Sequence, residues 1–244
     1  MRFASRLSFS LLITLSIVVT TVTTTLSQEL PANSGATANA QAEINAIQNQ
    51  GAKLEASNNW RAALKLYERA ARNYPRQSTI AARFQISRSH VDIARRYHDA
   101  SYLYSIKQMD VTASQAVYRE VLGKIETYYY AELNWQQILK SGIDQIEVAF
   151  HDELFRRYHG LTVNNGDLQE YRNSVAQILT SRVCRNGRDV LQSAIRVSQI
   201  AERTLKVSQQ VVMLELLSGT IIALDQYSSY LTSTQLDDMF SQID

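Results

Sequence analysis

The chain has 244 residues, with 25 Lys and Arg against 23 Asp and Glu, and a formal net charge of +2. Its 45% hydrophobic residues are enough to bury a core, whereas 8 Gly and 2 Pro are too few for the many turns of a β-sandwich or barrel. One Cys excludes a disulfide framework and a Cys-rich zinc module, and the near-neutral charge gives no general support for nucleic-acid binding. We therefore predict an all-α protein.

Residues 1–27 have the pattern of a signal peptide. Arg2 and Arg6 precede an apolar stretch from Phe9 to Val19, and small residues follow up to Ser27. This pattern predicts export to the periplasm, with cleavage after residue 27. The alternative is an uncleaved membrane anchor formed by residues 7–26, which would then be the contact of the chain with a membrane.

The following polar segment, residues 28–42, contains few large apolar side chains and is predicted to be a linker. Residues 43–110 are predicted to form two helical hairpins of the tetratricopeptide type. The first hairpin has the spacing of that repeat at Gly51, Leu54, Ala63, Tyr67, Ala70 and Pro75. We expect Tyr67 to fill the space between two helices that approach closely at Gly51. Asn58 or Asn59 is expected to cap the second helix.

A fainter copy of this pattern follows. In it, Tyr97, Ala100 and Tyr104 take the places that Trp60, Ala63 and Tyr67 have in the first copy. Because one helical hairpin cannot bury its own apolar face, the two hairpins need the rest of the chain as a partner. Two repeats offer little concave surface for a peptide, which favours a role as a spacer or dimerisation arm.

Residues 111–244 are predicted to form further helices, each with one apolar face. Capping-box patterns at Thr112–Gln115 and Asp167–Glu170 predict two helix starts, Asn134 predicts a third, and Asn164–Gly166 predicts a turn. The segment from Val211 to Leu224 carries one charge, Glu215, and is too short to span a membrane. It is therefore predicted to be a central helix that is buried nearly all round, with Gly219 allowing a neighbouring helix to pack closely.

Four residues suggest a metal site but do not have the required spacing. Glu147, His151, Asp152 and His159 follow one another closely, and Glu147 and His151 share a helix face. The zincin pattern of two His four residues apart with a Glu is missing, so a solvated helix face is the favoured interpretation. No metal or other cofactor is predicted.

The most informative segment follows the central helix and contains Leu224, Asp225, Tyr227, Ser228, Tyr230 and Leu231. It resembles the end of the helical N-terminal region of carboxyl-terminal processing peptidases (tail-specific proteases), where a helix runs into Leu-Asp-Pro-His/Tyr-Ser-x-Tyr-Leu. Tyr128–Tyr130, followed by Trp135 and Ile138, is similar to the Tyr-Tyr-Val-Asp segment of that family and its next helix. Gln226 and Ser233 stand where the family usually has Pro.

The resemblance implies that residues 111–244 correspond to the non-catalytic, dimerising or regulatory N-terminal region of an exported serine peptidase. Enzymes of that family hydrolyse peptide bonds near protein C-termini, with a Ser/Lys dyad in a domain that follows a PDZ domain. The residues themselves also indicate no active site, since nothing in the sequence places a base beside Ser228 or Ser229. We therefore predict no catalytic residue in this polypeptide.

The last predicted helix carries a candidate interaction face for a protein partner. Its apolar stripe consists of Leu236, Met239, Phe240 and Ile243. The partner would be a second copy of the chain or the PDZ and peptidase domains, and exposed stripes of this kind promote association. The alternative function is a free-standing periplasmic adaptor that binds proteins through its tetratricopeptide-like hairpins.

Overall fold

The computed structural model describes residues 34–181, 183–225 and 228, with only the backbone given for residues 34–38. These residues form ten helices and no strand, which confirms the all-α prediction. The helices are α1 (Ser34–Ala56), α2 (Trp60–Asn73), α3 (Ser78–Tyr97), α4 (Ala100–Gln108), α5 (Val111–Tyr128), α6 (Trp135–His151), α7 (Glu153–His159), α8 (Asn165–Ser181), α9 (Gly187–Leu205) and α10 (Gln209–Ile222). The predicted signal segment, residues 1–27, lies outside the described residues.

Helix α1 begins inside the segment that was predicted to be a linker. Residues 34–42 are helical, so the predicted linker of residues 28–42 is wrong over that part. Ala occupies every second position from Ala36 to Ala42, and Ala has the highest intrinsic helix propensity. The absence of large apolar side chains in this segment therefore did not indicate an irregular backbone.

The first hairpin packs around Tyr67, as expected from the sequence. Tyr67 is buried on α2, and a Cβ added to Gly51 would lie 1.9 Å from its hydroxyl oxygen, so only glycine fits there. The hydroxyl group donates a hydrogen bond of 2.8 Å to Glu55, which also forms an ion pair with Arg83 on α3. Asn59 caps α2 by accepting a hydrogen bond from the backbone N–H of Ala62. The packing of this hairpin is confirmed, and its assignment to the tetratricopeptide class stays a prediction.

The second hairpin does not repeat this packing. Ala100 and Tyr104 are exposed, Tyr104 to 68%, so the expectation that they pack like Ala63 and Tyr67 is wrong. Helix α4 instead buries Tyr102 and Ile106, which lie four residues apart on a different face. The spacing of the aromatic residues is the same in both copies, but α4 turns a different face towards the core.

Helix α10 lies at the centre of the main core, as predicted. Every residue from Val211 to Ile221 is buried, and the helix packs against α5, α6 and α9. Its backbone meets that of α6 directly, because a Cβ on Gly219 would lie 2.7 Å from Cα of Gly142. Over the residues the structure describes, none of the helices combines the length and the hydropathy that crossing a bilayer requires.

Two helix starts differ from the predicted ones. Asp110 caps α5 by accepting a hydrogen bond from Ala113 N, so the helix starts before the predicted cap at Thr112. Helix α8 begins at Asn165, where a turn was expected, and Asn164 accepts a hydrogen bond from Asp167 N. In both cases an earlier acceptor satisfies the free N–H groups first. Asn134 caps α6 as predicted.

A buried ion pair connects α3 with α10. Arg96 and Glu215 are 1% and 0% exposed, and Arg96 Nη2 donates a 2.5 Å hydrogen bond to Glu215 Oε2. Arg96 also donates to Ser218 Oγ, and Gln145 on α6 donates to the same Glu215 oxygen. Burial lowers the pKa of Arg96, but the Glu215 carboxylate, together with the smaller effects of Tyr102, Tyr97 and Asp92, outweighs burial, so the pKa lies above its usual value.

Replacing Tyr67 by Ala tests the packing of the first hairpin. We expect Tyr67→Ala to lower the free energy of unfolding by about 3–5 kcal/mol, as for other buried aromatic truncations. The matched control is Tyr104→Ala, which should change it by less than about 0.5 kcal/mol because this side chain is exposed. Urea unfolding followed by circular dichroism measures both values. Equal losses in the two variants would contradict the packing described here.

The buried ion pair predicts a non-additive pair of substitutions. Glu215→Leu leaves the Arg96 charge buried without a counter-charge and should cost about 3–5 kcal/mol of unfolding free energy. Arg96→Met together with Glu215→Leu should recover much of that loss, since neither charge remains. The exposed pair Arg72 and Glu68 is the control and should contribute about 0–1 kcal/mol. A double variant less stable than Glu215→Leu would overturn this account of the pair.

Candidate interaction site

The segment after α10 forms a turn that is closed by its own side chains. Asp225 accepts hydrogen bonds from the Ser228 backbone N–H at 2.6 Å and from the Ser228 hydroxyl group at 2.9 Å. Asp side chains commonly close turns in this way. Of the other residues in the predicted motif, Leu224 is half-buried, and Tyr227, Tyr230 and Leu231 lie outside the described residues.

Tyr129 joins this turn to the loop between α5 and α6. Its hydroxyl group donates a 2.5 Å hydrogen bond to the carbonyl oxygen of Leu224 and lies 3.4 Å from Asp225 Oδ2. Burial, and then the nearby Asp225 carboxylate, raise the pKa of Tyr129 to about 12, so the phenol stays a donor at neutral pH. The neighbouring Tyr128 and Tyr130 point to solvent. The two segments that resemble the peptidase family are therefore in direct contact.

Arg88 on α3 holds the same turn from the other side. Its Nη2 donates a 2.9 Å hydrogen bond to the carbonyl oxygen of Ser228, and its Nε lies 3.9 Å from Asp92. The residues Arg88, Tyr129, Leu224, Asp225 and Ser228 are called the junction from here on. The junction connects α3, the end of α5 and the end of α10, which are far apart in the sequence.

Two open depressions border the junction. The larger, called the α3–α6 groove, has a volume of about 500 Å³ and is lined by residues of α3 and α6, by Gly219 and Ile222 of α10, and by Ala223, which follows α10. A smaller cleft of about 190 Å³ is lined by Tyr129, Leu224 and the residues before α6. Gln137 and Ala223 line both, so the two depressions adjoin.

The chemistry of the junction is that of a structural turn. The Ser228 hydroxyl group donates to the Asp225 carboxylate, and its carbonyl oxygen is held by Arg88. In an activated serine nucleophile, by contrast, the hydroxyl group donates its proton to a nearby base such as His or Lys. The polar groups of the junction hold the chain in place around α10, and the two depressions beside it offer contact surface.

The residues that suggested a metal site are divided among three separate interactions. Glu147 forms an ion pair with Arg172 and lies 3.5 Å from His151. Asp152 accepts a 2.6 Å hydrogen bond from the buried ring of His90, and His159 Nε2 shares a 2.7 Å hydrogen bond with the hydroxyl group of Tyr97. Within the described part of the chain, no three His, Cys, Asp or Glu side chains come together as metal ligands would.

One buried contact has no signal in the sequence. The ring of His90 stacks on Trp60 with ring centroids 3.6 Å apart and planes 9° from parallel. The same ring bonds to Asp152, which also caps α7 through the backbone N–H of Phe155. His90 therefore joins α2, α3 and α7. The three residues are separated by whole helices, so their spacing could not have revealed the contact.

Comparison with known proteins gives no relative. No protein-family model, no curated protein and no solved structure matches this chain. The resemblance to carboxyl-terminal processing peptidases therefore rests on the sequence of this chain alone.

The hydrogen bond of Tyr129 at the junction can be tested by removing one oxygen atom. We expect Tyr129→Phe to lower the free energy of unfolding by about 1 kcal/mol, which lowers the melting temperature by about 2–4 °C for a protein of this size. Tyr128→Phe is the control and should leave the melting temperature unchanged, because Tyr128 is 67% exposed. Differential scanning calorimetry measures both. A shift of the same size in the two variants would show that the contact with Leu224 contributes nothing.

The half-buried ring of His159 predicts a loss of stability in mild acid. Burial lowers the pKa of His159 from 6.5 to about 4. The unfolded chain therefore binds a proton at a higher pH than the folded chain, and stability is lost as the pH falls from 6.5 towards 4. His159→Gln keeps an acceptor for Tyr97 but cannot titrate, so it should lose less stability between pH 7 and pH 5 than the unmodified chain.

Urea midpoints at the two pH values provide the measurement. The matched control is His98→Gln, the same substitution at an exposed histidine. If His159→Gln loses as much stability in acid as the unmodified chain, another group carries the pH dependence.

Proposed function

We propose that this chain is the non-catalytic, dimerising or regulatory N-terminal region of an exported carboxyl-terminal processing serine peptidase. The contact of Tyr129 with Leu224 and Asp225 is the observation that carries the proposal. Two segments that resemble the family lie far apart in the sequence, and a chance match in each would give no reason for them to touch. Here they share a hydrogen bond at the end of the central helix.

The buried helix α10 supports this role. A junction that transmits position to a following domain needs a rigid base, and α10 is buried along its length and in backbone contact with α6. Arg88 and Tyr129 then hold the chain from two sides as it leaves α10. The junction is thus held by polar contacts around a packed helix, which suits a connection between domains.

The partners in this proposal are proteins. The apolar stripe of Leu236, Met239, Phe240 and Ile243 lies outside the described residues and is proposed to bind a second copy or the PDZ and peptidase domains. Export to the periplasm, directed by residues 1–27, belongs to the same proposal.

The mass of the native protein tests the proposal. An antibody raised against the recombinant 244-residue chain is used to blot fractionated native cells, with that chain as the size marker. We expect a band well above 27.6 kDa, outside the cytoplasm, because PDZ and peptidase domains belong to the same polypeptide. A native product of 27.6 kDa or less would contradict the peptidase proposal.

The α3–α6 groove favours a second candidate, a free-standing periplasmic adaptor. One wall of the groove is α3, which belongs to the predicted tetratricopeptide-like hairpins, and the groove is open to solvent. The native mass separates the candidates, since an adaptor would migrate with the recombinant chain or slightly below it after signal cleavage.

A further inference from the structure

Helix α2 presents a row of exposed basic side chains on its outer face. They follow one another at steps of three and four residues, and they are Arg61, Lys65, Arg69 and Arg72, called the basic row from here on. The opposite face of α2 packs into the first hairpin around Tyr67. At about 1.5 Å per residue, the basic row is about 17 Å long. The packing of the hairpin therefore turns a straight basic edge towards solvent.

The basic row concentrates positive charge in a chain that is otherwise balanced. Residues 60–77 contain five basic residues, the four of the row and Arg76, against one acidic residue, Glu68, which gives a local net charge of +4. The whole chain carries +2, and without Arg2 and Arg6 of the predicted signal peptide it is neutral. The rest of the chain therefore has a net negative charge. A neutral protein with charge divided in this way is oriented by an anionic surface, towards which it turns its basic side.

Most charges of the basic row have no acidic partner. Arg72 lies 3.3 Å from Glu68, and this pair is exposed, so little is lost when it opens. Within the described part of the chain, the other three side chains of the row form no ion pair. On α5, α6 and α7, by contrast, a basic residue has an acidic partner one helical turn away. The exposed faces of those helices mix both signs of charge, whereas that of α2 is predominantly basic.

The basic row does not stabilise the helix that carries it. Arg61 and Lys65 are four residues apart, as are Lys65 and Arg69, and like charges at this spacing repel each other. Arg61 also lies in the first turn, where the helix dipole favours acidic residues, and α2 has none there. Gln has about the same helix propensity as Arg and Lys and would avoid both costs. The stability of α2 therefore gives no reason for these charges, whereas an anionic partner does.

An anionic lipid surface fits the basic row better than other anionic partners. None of the residues in the row lines either of the two described depressions, and a layer of phosphate headgroups needs no cleft, only several basic residues on one side of the protein. The apolar face of α2 is taken up by the core of the hairpin, so the contact is with headgroups and not with acyl chains. Nucleic acid carries the same phosphate charge, but an exported chain meets lipid headgroups at the membrane it has crossed.

We propose that the basic row of α2 binds the anionic headgroups of a lipid bilayer and holds the first hairpin against the membrane surface. Each side chain of the row contributes one charge, and no apolar group is inserted. The binding is therefore electrostatic and weakens as the salt concentration rises. The inference goes beyond the proposed function and uses only its export part, for the choice of lipid over nucleic acid.

Vesicle sedimentation measures this binding. The protein is the chain from residue 28, which retains every described residue and lacks the apolar segment Phe9–Val19, because that segment could enter bilayers by itself. It is mixed with vesicles of phosphatidylcholine and phosphatidylglycerol, or of phosphatidylcholine alone. The variant is Arg61→Gln/Arg69→Gln. The matched control is Arg188→Gln/Arg196→Gln, which removes the same charge from the exposed face of α9. Circular dichroism confirms that each protein is folded.

We expect the unmodified chain to bind the anionic vesicles and not the neutral ones. Arg61→Gln/Arg69→Gln should weaken this binding about thirtyfold, since each basic residue at an anionic surface contributes about fivefold, and the control should stay within about threefold. Raising the salt concentration from about 0.01 M to about 1 M, which shortens the Debye length from about 30 Å to about 3 Å, should abolish the binding. Without vesicles, the melting temperature of Arg61→Gln/Arg69→Gln should not fall, because repulsion within α2 is relieved.

Four results would overturn the inference. Equal binding to both kinds of vesicle would exclude recognition of anionic headgroups, and equal weakening in the variant and the control would show that net charge alone matters. A lower melting temperature of Arg61→Gln/Arg69→Gln would assign the basic row to the stability of the fold. Tighter binding to an oligonucleotide or to polyglutamate than to the anionic vesicles would assign it to nucleic acid or to an acidic protein. The native mass does not enter these outcomes, so this inference and the peptidase proposal can fail separately.

Discussion

The burial of one ion pair determines how the parts of this protein sit together. Arg96 and Glu215 are out of contact with water, and each would be costly to bury alone, so α3 and α10 have to meet at this point. Gln145 joins the pair from α6, which brings a third helix to the same place. Helix α3 packs against α2 through Ile80 at its beginning and lies in the main core at its end. The pair therefore connects the first hairpin to the central helix. It also sets the distance between α3 and α6, which are the two walls of the α3–α6 groove.

The main core could be predicted from the sequence because its signals are local. Helix α10 has a single charge among apolar residues, and this composition indicates a helix that is buried on all sides. The close approach of the two helices at Gly51 could be predicted in the same way, because a glycine and a tyrosine stand at the spacing of the repeat. The prediction for the second hairpin was wrong because Tyr104 has the spacing of the repeat but lies on a helix face that is exposed. Spacing determines which residues share a face, whereas the neighbouring helices determine which face is buried.

The candidate site was only partly predictable. Asp225 and Ser228 could be identified as turn residues because an Asp side chain acts on the backbone a few residues away. Tyr129 reaches the same turn from the end of α5, and Arg88 reaches it from α3. Contacts between residues so far apart in the sequence produce no pattern in any short segment of it. The groove was not predicted at all, since it is the space that remains when α3 and α6 pack on α10 at separate places.

The contact between Gly142 and Gly219 also sets the position of α10 along its axis. If α10 moved by one residue in either direction, Ser218 or Thr220 would occupy the place of Gly219, and its Cβ would meet the carbonyl oxygen of Ser141, which lies 2.5 Å from a Cβ built there. The helix therefore has one allowed register against α6. Helix α10 therefore cannot slide along its axis without displacing α6. A pull or push on the chain beyond Asp225 would act first on Tyr129 and Arg88, which hold Leu224 and Ser228, and then through α10 on the buried pair of Glu215 and Arg96.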